Sequence, residues 1–547
     1  MLIRIIALAS GIALALAASS AASIANIHRP VITLSDGALL GETTANGVEM
    51  FKDIPYAQPP VGDLRWKPPA PAKPWKGIRD AAAFGPSCVQ PLYPAKSIYS
   101  DNPAAMSEDC LSLNIWTPPH AHKAPVIVWI HGGSLEFGGS AEPLYDAAAF
   151  AAHDVVFVSL NYRLGALGWL ALPGLSAESP RGVSGNYGLL DQIAALAWVR
   201  ANIASFGGDP DNVTIMGESA GALSVVYLLA SPLAHGLFQK AIAESPNMRS
   251  FPHLKRADHG LPSAEQLGTA LQRALGADDL KALRAMGAAA LTGAALKAGF
   301  HPQGVIDGWA LPHQIVDVFD RKEEARVPVM AGFNSGEMQT LRMLLPRTPI
   351  PASREAYESD IRNRYGDLAP TFLRLYPGDD IPANMLAVVR DAALGWAAER
   401  IVRKEADAGM PSYLYLFDHD YAAARAQGLR AFHASELPFV FGQIGPDAAL
   451  PPNWPRPEGP DDAALSAAMM DYWISFARTG VPRAPGQPAW QSFSPDKSYM
   501  KFGQKPVAST DLYPGMYELN EKVVSCRRRA GDMPWFANFG LASPKCP

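Results

Sequence analysis

The chain has 547 residues, 48% of them hydrophobic, and a formal net charge of −5. That length and composition allow a large buried core, and the acidic balance excludes nucleic acid as an expected partner. Cysteine numbers only 4, and no Cys/His spacing or H-E-x-x-H run suggests zinc, so no metal and no cofactor are expected.

Residues Met1 to Arg4 carry the positive charge of a signal n-region, Ile5 to Ala18 are apolar, and small residues follow to Ala25. This pattern predicts a secretory signal peptide over residues 1–25, cleaved between Ala21 and Ala25. The apolar run is shorter than the ~20 residues a membrane span needs. The expectation is therefore an exported protein, periplasmic or secreted, with no stable membrane anchor. The cysteines suit an oxidising compartment. Of the three pairings that four cysteines allow, the sequence-local one, Cys88 with Cys110 and Cys526 with Cys546, is the simplest.

Residues 30–85 are proline-rich and read as an extended, irregular lead-in. Leu111 to Trp116 alternates like a strand, and Pro125 to Ile130 is a continuous apolar run of the kind found in buried central strands. The latter runs into His131-Gly132-Gly133-Ser134. A second buried strand, Val155 to Leu160, precedes Asn161-Tyr162-Arg163. Residues Gly188 to Phe206 have helical spacing, with Leu189, Ile193, Leu196 and Val199 on one face.

The stretch that follows, FGGDPDNVTIMGESAG, ends at Gly221. It places a β-run, Asn212 to Met216, before Gly217-Glu218-Ser219-Ala220-Gly221, and a helix-compatible run, Ala220 to Ala230, after it. A G-x-S-x-G between strand and helix is a nucleophile elbow, whose strained turn exposes the serine hydroxyl above a sheet. Beyond it, a short strand, Lys240 to Glu244, ends at Ser245. Residues 250–325 have helical spacing and read as a cap. A strand, Val327 to Phe333, runs into Asn334-Ser335-Gly336-Glu337. Residues 350–408 read as helices, Tyr413 to Phe417 as a strand, Ala463 to Arg478 as a helix, and the tail as a few strands and loops. Strands alternating with helices imply a mainly parallel sheet covered on both faces, in one catalytic domain over 26–547.

A serine hydroxyl needs a base to take its proton. For an elbow serine the acid and then the histidine come later in the chain. Glu337 sits in a loop after a core strand; Asp307 and Asp317 are rival acids. His419 and His433 follow Glu337, and the loop position of His433 favours it over His419, which ends a strand. Backbone N–H groups of Gly133, Ser134 and Ala220 are the candidate oxyanion donors.

With these motifs the chain resembles a type-B carboxylesterase, of the carboxylesterase/cholinesterase branch of the α/β-hydrolases. FGGDPDNVTIMGESAG fits the family's serine signature. EDCLSLNIWTP, Glu108 to Pro118, fits its second signature, with Ser112 unusual at its place. HGG, NYRLG, NYGLLDQIAALAWVRANIASFGGDP and WISFARTGVP also match. The resemblance implies an α/β-hydrolase fold: a large central mostly parallel sheet flanked by helices, with helical cap insertions around 250–325 and 340–410. It implies a Ser-His-Glu triad of Ser219, His433 and Glu337, with His433 and not His419 as base. It implies Glu218 and Ser245 as supporting residues, a Cys88–Cys110 disulfide, and ion pairs Arg65–Glu108 and Arg163–Asp191. Ser134 and Leu135 stand where the family often has glycine and an aromatic residue. The implied activity is hydrolysis of small-molecule carboxylic esters through an acyl-enzyme. A lipase acting on long-chain acyl esters is the alternative. An inactive esterase-like binding protein is disfavoured by the intact Ser219, Glu337 and His433. The loop Val89 to Asp109 holds Tyr93 and Tyr99 but no tryptophan, which argues against a choline ester. No sequence signal sets the oligomeric state.

Overall fold

The computed structural model describes residues 29–344, 349–531, 533–535 and 540–545. The predicted signal segment, 1–25, lies outside the described residues, as does Cys546.

An 11-stranded sheet organises the chain. In chain order its strands are β1 (Glu42–Thr43), β2 (Glu49–Pro55), β3 (Ser112–Thr117), β4 (Ala124–Ile130), β5 (Val156–Leu160), β6 (Gly208–Glu218), β7 (Lys240–Glu244), β8 (Val329–Asn334), β9 (Ser412–Phe417), β10 (Ser498–Phe502) and β11 (Pro506–Thr510). Their order across the sheet is β11-β10-β9-β8-β7-β6-β4-β5-β3-β2-β1. Every neighbouring pair from β10 to β5 is parallel. The pairs at both edges are antiparallel.

The central strands are buried on both faces, which explains their unbroken Val/Ile runs. Along β4, Val126, Val128 and Ile130 enter one core and Ile127 and Trp129 the other. Helices α1 (Tyr187–Asn202) and α2 (Ala220–Ala230) pack in the first core, and α3 (Pro460–Thr479) packs in the second. Helices also occupy both stretches expected to form a cap. They include Ala264–Ala274, Ala288–Lys297, Arg354–Tyr365 and Ile381–Arg390.

Some elements depart from the sequence expectation, each for a visible reason. β3 does not alternate buried and exposed; all of it is buried, because both faces of the sheet are covered there. Its inward Asn114 is tolerated because Nδ2 donates to Ser140 Oγ at 3.0 Å and Ser159 Oγ at 3.1 Å. In α1 the predicted stripe is buried apart from half-buried Ile193, but Asp191 and Gln192 are buried too. Asp191 meets Arg163 in a bidentate pair, Nε at 2.7 Å and Nη2 at 2.7 Å, and Gln192 Nε2 donates to Ser224 Oγ at 2.9 Å. The lead-in is more ordered than its prolines suggest: β2 joins the sheet and buries Met50, Phe51 and Ile54. The tail holds a helix, Met516–Ala530, that buries Leu519, Val523 and Val524 between two left-handed glycines, Gly515 and Gly531.

Cys88 and Cys110 form a disulfide, and Cys526 is disulfide-bonded. Arg65 pairs with Glu108 through Nε at 2.7 Å and Nη2 at 2.6 Å. Among the described residues, no helix is long and apolar enough to cross a membrane.

Candidate active site

Ser219 stands between the end of β6 and the start of α2, with φ 56° and ψ −116°. This left-handed conformation is costly for a residue with a side chain, and the surroundings enforce it. The Ser219 N–H donates to Glu244 O at 2.9 Å, tying the turn to β7. The flanking glycines are required by contact. A Cβ on Gly221 would lie 2.0 Å from Ile130 O, and one on Gly217 would lie 2.6 Å from the Gly221 carbonyl carbon. The elbow is thus pressed against the end of β4.

The structure brings Ser219, His433 and Glu337 together. Ser219 Oγ lies 2.8 Å from His433 Nε2, and His433 Nδ1 lies 2.5 Å from Glu337 Oε2. A carboxylate accepts, so Nδ1 carries the hydrogen and Nε2 is left to accept from the serine. Glu337 is fully buried, at 0% exposure. Its Oε1 accepts from Ser245 Oγ at 2.6 Å and from Asn334 N at 2.8 Å. Asn334 Nδ2 donates to Phe432 O at 2.8 Å, and Gly336 N donates to Ala431 O at 2.8 Å. The loop of the acid and the loop of the histidine are therefore stitched together directly.

The glycine turn after β4 is held as firmly. Gly133, Ser134 and Leu135 all have positive φ, at 97°, 59° and 59°. Both Glu136 N and Phe137 N fold back onto Gly133 O, at 3.0 and 2.8 Å. His131 stacks on Tyr162 with ring centroids 4.6 Å apart, and burial lowers its pKa to about 4, so it is neutral. Among the described residues, none accepts a hydrogen bond from the N–H of Gly133, Ser134 or Ala220. The turn borders the serine: a Cβ on Gly132 would lie 3.4 Å from Ser219 Cβ. Unspent backbone donors next to a serine–imidazole pair can stabilise a developing oxyanion.

Glu218 is buried with its Oε1 3.2 Å from His433 Nε2. Burial raises the Glu218 pKa, and the positive charge of His433 pulls it back. Burial opposes protonation of His433, but the Glu218 and Glu337 charges outweigh it and hold the imidazole above its ordinary range.

The rival groups lie in other settings. His419 Nε2 lies 2.6 Å from Asp462 Oδ1 at the start of α3. Asp307 accepts from the N–H groups of Trp309 and Leu311 and from Asn186 Nδ2. Asp317 pairs with Arg528.

Sequence reasoning did not single out Tyr99 as part of the site. It reaches in from the loop closed by the Cys88–Cys110 disulfide, and its hydroxyl donates to His433 O at 2.9 Å. That hydroxyl also lies 2.7 Å from Thr340 Oγ1. Asn334 was passed over too; its signal is its place three residues before the acid. A cavity of about 640 Å³ lies beyond the acid's loop, lined in part by Gln339, Arg342, Met385, Val389 and Arg430. None of Ser219, Glu337 and His433 lines it, so side-chain geometry and not void size marks the chemistry. Among the described residues, no group of three or more His, Cys, Asp or Glu side chains is arranged to hold a metal ion.

Residues 28–519 match the model of the Carboxylesterase family. The chain is 38% identical over 499 residues to the fumonisin B1 esterase of Sphingopyxis macrogoltabida, covering 87% of this chain and 88% of that protein. It is 36% identical over 467 residues to the para-nitrobenzyl esterase of Bacillus subtilis (strain 168), covering 83% and 90%. A solved PNB esterase structure superposes with a TM-score of 0.77 at 32% identity, covering 90% of this chain and 99% of that one. The sheet, the elbow and these likenesses agree: the chain belongs to the carboxylesterase family, has the α/β-hydrolase fold, and is a carboxylic ester hydrolase.

Proposed function

We propose that this chain is an exported serine carboxylesterase that hydrolyses small-molecule esters through an acyl-enzyme on Ser219. Ser219 Oγ attacks the ester carbonyl while His433 Nε2 takes its proton, and the tetrahedral oxyanion is held by the N–H groups of Gly133, Ser134 and Ala220. His433 then protonates the leaving alcohol. Glu337 keeps the proton on Nδ1 and stabilises the imidazolium that forms. Water attacks the acyl-enzyme with His433 again as base. The observation that carries this reading is the unbroken line from Ser219 Oγ to His433 Nε2 at 2.8 Å and from His433 Nδ1 to Glu337 Oε2 at 2.5 Å.

Labelling with a fluorophosphonate probe, read by intact mass, tests the nucleophile. The wild type gains one adduct and Ser219→Ala gains none; equal labelling of the two rejects Ser219. Turnover of p-nitrophenyl esters across acyl lengths tests the substrate class. A carboxylesterase favours short chains, and a maximum at long chains supports a lipase in its place. N-terminal sequencing of the protein from its native host tests export, with a mature start expected within Ala21 to Ala25. A start at Met1 rejects the signal peptide.

A further inference from the structure

A row of residues runs across the sheet directly beside the elbow. In the register of the parallel strands, Glu218 of β6 sits next to Glu244 of β7, Glu244 next to Gly332 of β8, and Gly332 next to Tyr415 of β9. In-register residues of parallel strands share a face. Gly332 leaves a gap in the row that the Tyr415 ring fills; a Cβ there would lie 2.3 Å from the ring. Trp473 of α3 closes the row from outside. Its ring lies 5.4 Å from that of Tyr415, and its Nε1 donates to Glu244 Oε1 at 2.6 Å.

This row is short of donors. Among the described residues, the carboxylate oxygens Glu218 Oε1 and Glu244 Oε2 of the row, and Glu436 Oε1 outside it, are buried without a hydrogen-bond partner. Neighbouring carboxylates cannot all stay ionised in such a place, because each lacks water and repels the others. The surrounding groups decide where a proton resides. Glu337 accepts from Ser245, Asn334 and His433, and so is well served as a carboxylate. Glu436 accepts from Asn334 Nδ2, yet burial and the Glu218, Glu244 and Glu337 charges hold its carboxyl well above the usual carboxylate range, so it carries a proton of its own. Glu218 lies against His433. Glu244 accepts from the neutral indole of Trp473 and lies beside the Glu218 charge, with Glu436 and the Tyr415 phenol also near it. Burial, and after it that charge, raise its pKa to about 8, although the Trp473 hydrogen bond works the other way. Glu244 also sits next in register to Glu218, and each of the two carries an oxygen without a hydrogen-bond partner.

We propose that Glu244 works as a neutral carboxylic acid and is a positioning residue for the ester hydrolysis. Its Oε2–H supplies the missing donor to Glu218, directly or across one water, and so keeps Glu218 as the negative charge on the Nε2 side of His433. This rests on His433 being the base for Ser219. The role is distinct from that of Glu337, which acts on the opposite ring nitrogen.

Glu244→Gln retains an oxygen for Trp473 and an N–H for Glu218 and carries no charge. It is expected to keep kcat/KM within about threefold of wild type, with the ascending limb of the pH profile unmoved. Glu244→Leu removes the donor. Its kcat is expected to fall about tenfold or more at unchanged KM, with the limb moved to lower pH as Glu218 takes up a proton. Infrared difference spectroscopy in a Ser219→Ala background reads the proton without turnover. Protonated-carboxyl absorption that shifts in D2O is expected in Ser219→Ala, and one component of it is lost in Ser219→Ala/Glu244→Gln while that of Glu436 remains. That measurement separates failure of this proposal from failure of the nucleophile assignment, and it stands even if the leucine variant does not fold. A limb that drops by about one pH unit or more in Glu244→Gln, or protonated-carboxyl absorption that is the same with and without Glu244→Gln, means that Glu244 is ionised and overturns the proposal.

Discussion

Replacing Glu218 by glutamine removes a buried negative charge from beside the proposed base with little change of shape. The carboxylate lies 3.2 Å from His433 Nε2, and both side chains are buried. At an effective dielectric of about 20, two unit charges at that distance interact by roughly 5 kcal/mol. The substitution reads less than that. Glutamine leaves a carbonyl dipole in place, and burial raises the Glu218 pKa to about 7, so it carries only part of its charge near neutrality. We expect the His433 pKa to fall by about 1.5 units, equal to about 2 kcal/mol. The base accepts a proton only when neutral, and its pKa is held above the ordinary histidine value. Wild-type activity is therefore lost as pH falls through that raised value, and in Glu218→Gln the ascending limb moves to lower pH. The same ~2 kcal/mol no longer stabilises the imidazolium in the transition state, so plateau kcat drops about 30-fold. The assay is kcat and kcat/KM for a short-chain p-nitrophenyl ester across pH, with the melting temperature as a check on folding. A limb that stays put, together with kcat within about threefold of wild type, would refute the electrostatic role of Glu218.

Other substitutions probe the frame around the site. Tyr99→Phe loses the hydroxyl that donates to His433 O, and should lower kcat a few-fold at unchanged KM while costing about 1 kcal/mol in urea unfolding; an unchanged kcat shows that the tether is idle. Gly221→Ala drives a Cβ into Ile130 O, and should cost about 3 kcal/mol or more, or leave the protein insoluble; a soluble variant of wild-type stability contradicts the close packing. Arg163→Ala strands the fully buried Asp191, and should cost about 3–5 kcal/mol, whereas Arg163→Met with Asp191→Leu should recover most of that. Chemical unfolding at pH 7 measures both, and equal losses in the two point away from an uncompensated charge.

The elbow was readable from sequence because its physics is local. A strained turn between an apolar strand and a small-residue helix allows few residue types, and Gly217 and Gly221 advertise it. The main strands were readable for a similar reason: a strand buried on both faces, such as β4, has no polar residue to hide its run. The choice between His419 and His433 was not local. Both are buried against a carboxylate, at 2.6 and 2.5 Å. What separates them is which carboxylate arrives, and the start of α3 delivers Asp462 from 43 positions along the chain. Spacing only leaned towards His433; the family resemblance chose it. Tyr99 and Glu244 were missed because their roles depend on register and loop closure. A glutamate ending a short strand looks like any other until Glu218, Gly332 and Tyr415 line up beside it. β2 and the helix Met516–Ala530 escaped because prolines and charges in their surroundings masked their buried faces.

The contact between the Gly221 backbone and Ile130 O has a consequence for how such a protein can be altered. The serine is carried by one backbone segment, the glycine turn by another, and the two touch with no side chain between them. Their spacing is thus a fixed gauge, insensitive to rotamer choice. Mutations in the helices of 250–325 and 340–410 leave that gauge untouched. Directed evolution for new esters should therefore accumulate changes in 250–325 and 340–410, and should reject almost any change along Ile130 to Gly133 or Gly217 to Gly221.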